Sequence, residues 1–185
     1  DAAYWKSKFD EVPQALLQPI AQMSPKVAVG QRLSFQLSSQ QRKTIEDTAQ
    51  QATCSVQQLL LAATSIYFSR VEKREAIVIG VPLHKRSGRQ EKQTAGMISG
   101  VIPFKTQMQK GESLQELINR IKQQQRQDYR HLSYPISHLN RSLNLMAKGR
   151  QQLFDVNVIF DLLDFHYNLG EVENNSRQLT VNDGE

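Results

Sequence analysis

The sequence predicts an α/β fold, a mixed sheet with helices packed on it. Three observations carry that expectation. Ala76-Ile77-Val78-Ile79-Gly80-Val81-Pro82-Leu83 is a continuous apolar run rich in β-branched residues, the pattern of a strand covered on both faces. Residues 101–108 and 153–161 read as two more strands, the second with strict alternation. Before and between them lie segments of helical period, three of which begin with a Ser followed three residues later by Gln or Glu. The order is strand, two helices, strand, strand, two helices, strand, which argues for one α/β layer pair.

Taken in order, residues 2–9 form a short helix anchored by Tyr4, Trp5 and Phe9 and stopped by Pro13. Residues 12–29 hold three of the six prolines and no clear period, so they read as a linker along a surface. Arg32-Leu33-Ser34-Phe35-Gln36-Leu37 alternates and predicts a strand with Leu33, Phe35 and Leu37 on a core. Ser38 with Gln41 makes a capping box for a helix whose narrow apolar stripe is Ile45, Ala49 and Ala52. Ser55 with Gln58 opens the next, 56–71, which is apolar almost all round and is expected to be the central buried helix, intolerant of Leu60→Asp.

Strand 76–83 follows, then a cationic loop His84 to Gln93, then the glycine-interrupted stretch 94–108. Ser113 with Glu116 caps a long helix with Leu114, Leu117, Ile118 and Ile121 on one stripe. Beyond Ile121 the stripe gives way to glutamines, so that half is solvated or meets a polar partner. Ser133-Tyr134-Pro135 begins another helix, with Ile136, Leu139 and Leu143 buried. In 153–161, Phe154, Val156, Val158 and Phe160 share one face; Asp155, Asn157 and Asp161 share the other. A strand with such a polar face often looks into a cleft. Residues 178–181 start a last strand.

The 185 residues suit one hydrophobic core, and the whole chain reads as a single, partial domain. No apolar run approaches the roughly 18 residues that a membrane-spanning helix needs. No basic-then-apolar leader is visible. The first residue is Asp1, and 181–185 closes with no helix, so the chain reads as an excised piece of a longer polypeptide. The lone Cys54 cannot make an internal disulfide and fits a buried thiol in a cytoplasmic protein. A net charge of +5 permits nucleic-acid binding. The charge is dispersed, however, without a dense basic helix face or zinc-finger spacing, so neither nucleic acid nor membrane is expected as a partner.

The residues alone yield no catalytic constellation and no metal set. His131 and His138 are seven apart, but Pro135 breaks the helix between them. Asp161, Asp164 and His166 read as solvated loop residues. No Gly-x-Ser-x-Gly elbow or phosphate-binding Walker loop occurs. The loop 84–89 has the charge to grip a phosphate or to serve as an exposed connection.

The order of short motifs says more. Tyr4-Trp5 opens the chain. Phe35-x-Leu37-Ser38 precedes a helix, and Leu59-Leu60-Leu61-Ala62-Ala63 fills the next. Val78-Ile79-Gly80-Val81-Pro82 is followed by Arg86. Thr94-Ala95-Gly96-Met97 leads into Val101-Ile102-Pro103-Phe104. Ser113-Leu114 starts a long helix ending near His131, before Tyr134-Pro135, and Gly149-Arg150 precedes Leu153-Phe154-Asp155-Val156. In this order and over nearly the whole chain, the sequence resembles the condensation domain of non-ribosomal peptide synthetases.

The resemblance implies a chloramphenicol acetyltransferase-like lobe, one of two that form a V (the coenzyme A-dependent acyltransferase fold). It implies amide formation between an acyl or peptidyl thioester on one carrier protein and an amine on the next. The family's His-His-x-x-x-Asp-Gly motif belongs to the first lobe and is absent here, so the chain resembles the C-terminal lobe and no residue of it is expected to be catalytic. Gly100 stands where the family commonly has Asn, and Leu132 and Ser133 depart from a His-Gln-Asp-Tyr-Pro-like motif. The resemblance also implies that this lobe supplies one wall of a substrate tunnel. Arg86, Ser99 and Asn157 are the candidates for that wall, with surface or interlobe packing as their alternative role. No cofactor is expected to bind directly; the phosphopantetheine arms of peptidyl carrier domains enter the tunnel. The implied partners are the first lobe, those carriers and an adenylation domain of the parent chain. Competing readings are a lobe of a coenzyme A-dependent acyltransferase and a non-catalytic interaction module.

Overall fold

A computed structural model describes residues 1–17, 31–84, 93 and 99–160. The chain divides into two compact units, Asp1–Pro19 with Leu37–Ile159, and Ile20–Gln36 with Phe160–Glu185. The first unit holds every helix and strand described below.

Its centre is strand β1 (Ala76–His84), paired antiparallel with β2 (Ser99–Gln107) from Ala76 opposite Gln107 to His84 opposite Ser99. On its other edge β1 meets residues 156–158 in parallel. The Gly80 N–H donates to the Val156 carbonyl at 2.8 Å, and the Val158 N–H donates to the Gly80 carbonyl at 2.9 Å. The 76–83 run is therefore the middle of a mixed sheet, as its apolar character predicts. Where alternation predicts a strand over 153–161, one rung at Asn157 is formed.

The hydrogen bonds of Gly80 fix the polarity of the whole strand. Its N–H and C=O both point at 156–158, so the odd-numbered residues of β1 point theirs at β2. The Met108 N–H bond to the Glu75 carbonyl, 2.7 Å, extends that odd-numbered ladder. Pro103, opposite Gly80, thus turns its N–H-less nitrogen to the outer edge of β2, the position in which a strand tolerates proline.

One face of the sheet carries Ile77, Ile79, Val81, Ile102, Phe104 and Thr106, all buried. Helix α3 (Val56–Glu72) packs on β1 and on α4 (Leu114–Arg130). Its Ser65 hydroxyl meets the Thr106 hydroxyl at 3.4 Å. Leu61 and Ala62 complete the contact, and Leu117, Ile118 and Ile121 bring the stripe of α4 into the same core. Full burial of each large side chain here is worth roughly 1.5–3 kcal/mol.

All three predicted capping boxes form reciprocally, Ser38 with Gln41 on α2 (Ser39–Gln51), Ser55 with Gln58 on α3, and Ser113 with Glu116 on α4. Helix α1 (Ala2–Lys8) and the short α5 (Ile136–Ser142) also lie where expected. Trp5, Phe9 and Leu139 are fully buried.

Two expectations need correction. Residues 32–37 form no strand; Leu33 and Phe35 are 81% and 88% exposed and Leu37 is exposed too. A strand exists only beside a hydrogen-bonded neighbour, and no described residue supplies one. Helix α3 is not buried all round: Leu61, Ala62 and Ser65 are buried, Leu60 is half-buried, and Tyr67 and Val71 are exposed. Its apolar residues exceed one packing face, and within its unit only one face is packed. Within the 12–29 linker, residues 13–16 are held to the rest of the unit by hydrogen bonds. The Leu16 N–H donates to Asp155 Oδ2 at 2.7 Å, and the Arg74 and Arg150 guanidinium groups donate to the carbonyls of Ala15 and Pro13. Residues 18–29 lie outside the described residues, as do the loop 85–92 and the predicted strand 178–181.

Candidate functional site

The second face of the sheet carries Val78, Gly80 and Pro82 from β1 and Ser99, Val101, Pro103 and Lys105 from β2. Asn157 joins this face beside Gly80. An ideal Cβ built on Gly80 would lie 2.0 Å from Asn157 Oδ1 and 2.6 Å from the Phe154 ring. Glycine is required there because the Asn157 carboxamide and the Phe154 ring lie directly over its Cα.

Burial changes along this face. Val78, Gly80 and Pro103 are buried, whereas Val101 is 37% exposed and Ser99, Asn157 and Ile159 are exposed. The face is therefore closed at the start of β1 and open toward its C-terminal end. Open sheets place their ligands at strand ends of this kind.

Of the three predicted tunnel residues, two fall on this open face. Asn157 sits at its middle, backed by Gly80, and Ser99 sits at its rim opposite His84. They are separated by about 13 Å along the strand direction, four residues at the usual rise, and stand on strands two apart. They line one surface without touching. Arg86 lies outside the described residues.

The other polar residues singled out in the sequence serve the framework. Asp155 takes the Leu16 N–H and the Arg150 guanidinium, the latter at 3.2 Å. The His131 ring stacks on Tyr4, with centroids 4.1 Å apart, and its Nδ1 meets Asp1 Oδ1 at 2.8 Å. The backbone carbonyl of His131 accepts the Trp5 indole N–H at 2.8 Å. His138 packs edge-on to Tyr134.

A buried polar cluster went unseen in the sequence. Asp128, fully buried, accepts from Tyr4 Oη at 2.5 Å and from Lys8 Nζ at 2.6 and 2.8 Å. Gln124 donates to Asp128 at 3.1 Å and to Tyr4 at 2.9 Å, while Gln125 links Gln58 to Tyr129. The glutamine-rich half of α4 therefore meets polar partners. Burial pushes the Lys8 ammonium below its usual range, with Asp128 opposing the shift. Burial raises the Tyr4 phenol, and the Asp128 carboxylate that it donates to raises it further. The cluster ties α1 to the end of α4.

The chain matches the Condensation domain family over residues 1–183. It is 24% identical over 170 residues to the dimodular nonribosomal peptide synthase of Bacillus subtilis (strain 168), covering 91% of this chain and 7% of that protein. It is 25% identical over 182 residues to tyrocidine synthase 3 of Brevibacillus parabrevis, covering 97% of this chain and 3% of that one. Among solved structures, the first condensation domain of the CDA synthetase superposes with a TM-score of 0.69 at 18% identity, over 85% of this chain and 33% of its own. The starter condensation domain of rhizomide synthetase, in complex with C8-CoA, gives 0.68 at 26% identity, over 85% and 34%. The chain thus spans a few per cent of its curated relatives and about a third of the solved domains. With its helix-backed mixed sheet and its match over nearly all its residues, this chain belongs to the condensation-domain family.

Proposed function

We propose that this chain is the C-terminal lobe of a condensation domain in a cytoplasmic non-ribosomal peptide synthetase, and that the open face around Asn157 is one wall of its substrate tunnel. In the reaction the amine of a carrier-bound aminoacyl group attacks the thioester carbonyl of the donor. The C–N bond forms, the C–S bond breaks, the phosphopantetheine thiol leaves, and the amine gives up a proton. The group that handles that proton belongs to the first lobe. This lobe's part is to align the two arms and exclude water, and such alignment can supply several kcal/mol of the barrier.

The observation that supports the wall most directly is the Gly80–Asn157 junction. It lays a polar carboxamide flat on a sheet face that is open toward the strand ends. Ser99 marks the rim of the same face, and Arg86, two residues beyond β1, belongs to the same proposed wall. The partners are the first lobe, two peptidyl carrier domains and the neighbouring adenylation domain. The test is condensation by the two-lobed domain with loaded carriers. Asn157→Ala and Ser99→Ala are expected to lower kcat/KM about tenfold or more with unchanged thermal melting. Wild-type turnover in both variants would remove the wall from this face.

A further inference from the structure

A pocket of about 530 Å³ lies between the second half of β2 and α4, at the end of β2 remote from Ser99. Four consecutive strand residues, 104–107, form one side of it. Arg120, Gln123 and Gln127 of α4 stand on the other, and Lys8 of α1 joins Lys105 and Arg120 as a third cation. Among the described residues no carboxylate lines this pocket. Its volume is in the range of sites that take small organic ligands.

The three cations are not equivalent. Lys8 is committed to Asp128, which accepts from its Nζ on both carboxylate oxygens. Arg120 holds Glu112 through Nε and Nη2, at 2.6 and 2.7 Å. A guanidinium carries five N–H groups, so three remain on Arg120. Among the described residues Lys105 is in no ion pair, and its Nζ donates only to the Lys8 carbonyl, at 3.0 Å. Two of its N–H groups remain. The two ammonium groups also repel each other. Burial is the larger cause of the lowered Lys8 proton affinity, and the Lys105 charge adds to it. An anion beside Lys105 would relieve that repulsion. The Gln123 and Gln127 carboxamides add further N–H donors to the lining.

Such a pocket selects a ligand with several acceptor oxygens and more than one negative charge, because hydrogen bonds between ionised partners are the strong ones. A phosphate monoester has both properties at neutral pH. We infer that this pocket is a binding site for a small phosphate monoester. The Lys105 ammonium and the free N–H groups of Arg120 hold its phosphoryl oxygens, and the Gln123 and Gln127 carboxamides meet its organic part. The site is separate from the proposed tunnel wall and does not rest on that reading.

The test is calorimetric titration of the two-lobed domain with phenyl phosphate at constant ionic strength. Lys105→Gln and Arg120→Lys should each weaken binding about tenfold, the usual effect of losing a hydrogen bond between charged groups. Arg120→Lys keeps a cation for Glu112, so the fold is retained. Lys110→Gln, which removes an exposed cation outside the pocket, should leave the affinity unchanged. Binding should weaken below about pH 6, where the phosphate loses its second charge. Inorganic phosphate should bind more weakly than phenyl phosphate, since only the ester reaches the glutamines. An absence of saturable binding to the wild type overturns the inference, as does a Kd unchanged in both pocket variants. An equal loss in Lys110→Gln would reduce the effect to overall charge and overturns it too. Inorganic phosphate binding as tightly as the ester would refute the place given to the organic part.

Discussion

The Asn157 carboxamide lies over the bare Cα of Gly80, so close that a Cβ on residue 80 would fall 2.0 Å from Asn157 Oδ1. The same two residues form the parallel rung that adds the third strand to the sheet. One glycine thereby both permits the strand to dock and sets a polar side chain on the open face.

Gly80→Ala is accordingly expected to destabilise the chain by about 1–3 kcal/mol or more, the usual cost of overpacking a rigid site. Adding Asn157→Gly should recover only part of the loss, because the Phe154 ring lies 2.6 Å from the same Cβ position. Urea unfolding of the single and double variants measures both. Full recovery in the double variant would show that the Phe154 ring yields easily.

How much of this was legible in the sequence depends on how far apart the partners lie. The capping boxes at Ser38, Ser55 and Ser113 involve residues three apart, and all three form. Strand β1 follows from its own β-branched run. The alternation of 153–161 is equally clear, yet only one rung forms, at Asn157 opposite Gly80, and no local pattern reveals how much of a partner strand is within reach. Helix α3 shows the opposite limit: its apolar content says that it can be buried all round, and only the tertiary structure says that Leu61 is buried and Tyr67 is not. In the site, the polar face of 153–161 points to Asn157, but Asp155 on the same face is drawn off by Leu16 and Arg150.

Asp128 belongs to a stripe that the sequence itself displays. Ile118, Ile121, Gln125 and Asp128 continue one helical stripe, and all four are buried. A stripe that turns polar without leaving the core implies buried polar partners, here Lys8 and Tyr4. Asp128→Ala should cost about 3–5 kcal/mol, since it strands a buried ammonium. Pairing Asp128→Leu with Lys8→Met should bring the stability back near that of the wild type. Chemical denaturation of the single and paired variants is the measurement. A small loss in Asp128→Ala would mean that Lys8 finds water on losing its partner.

The same cluster predicts a response to alkali. Folding raises the Tyr4 proton affinity, so its contribution is fully present below the ordinary tyrosine value near pH 10 and is lost as pH rises beyond it. Burial raises Tyr129 as well, and it acts in the same sense. Lys8 is shifted down by burial, so its contribution grows as pH rises from its lowered value toward about 10.5. Stability should therefore fall above about pH 10.5, where the lysine gain is fading and the tyrosine loss is under way. Tyr4→Phe should flatten that decline in part, leaving the share of Tyr129, and should cost about 1 kcal/mol at pH 7 through the lost hydrogen bond to Asp128. Urea midpoints from pH 7 to 11 for the two proteins test the sign. An unchanged alkaline slope in the variant would exclude Tyr4 as its source.

This chain alone should not condense loaded carriers. Amide formation needs an amine with a free lone pair and a group that positions it or takes its proton. In the family that group is the second His of a motif that none of the 185 residues supplies: no His here is followed by another, and none has Asp-Gly at the required offset. Of the described imidazoles, the His131 ring is engaged with Asp1 and Tyr4 and the His138 ring with Tyr134. On the proposed reading, one wall alone would also leave the arms in water, where the alignment term is lost. Product formation by the isolated chain is expected to stay at background. Supplying the first lobe, fused or in trans, should restore it only when that lobe's His is intact. Turnover by the 185 residues alone, abolished by His84→Ala, His131→Ala or His166→Ala, would place the chemistry in this lobe and refute the division of labour proposed for it.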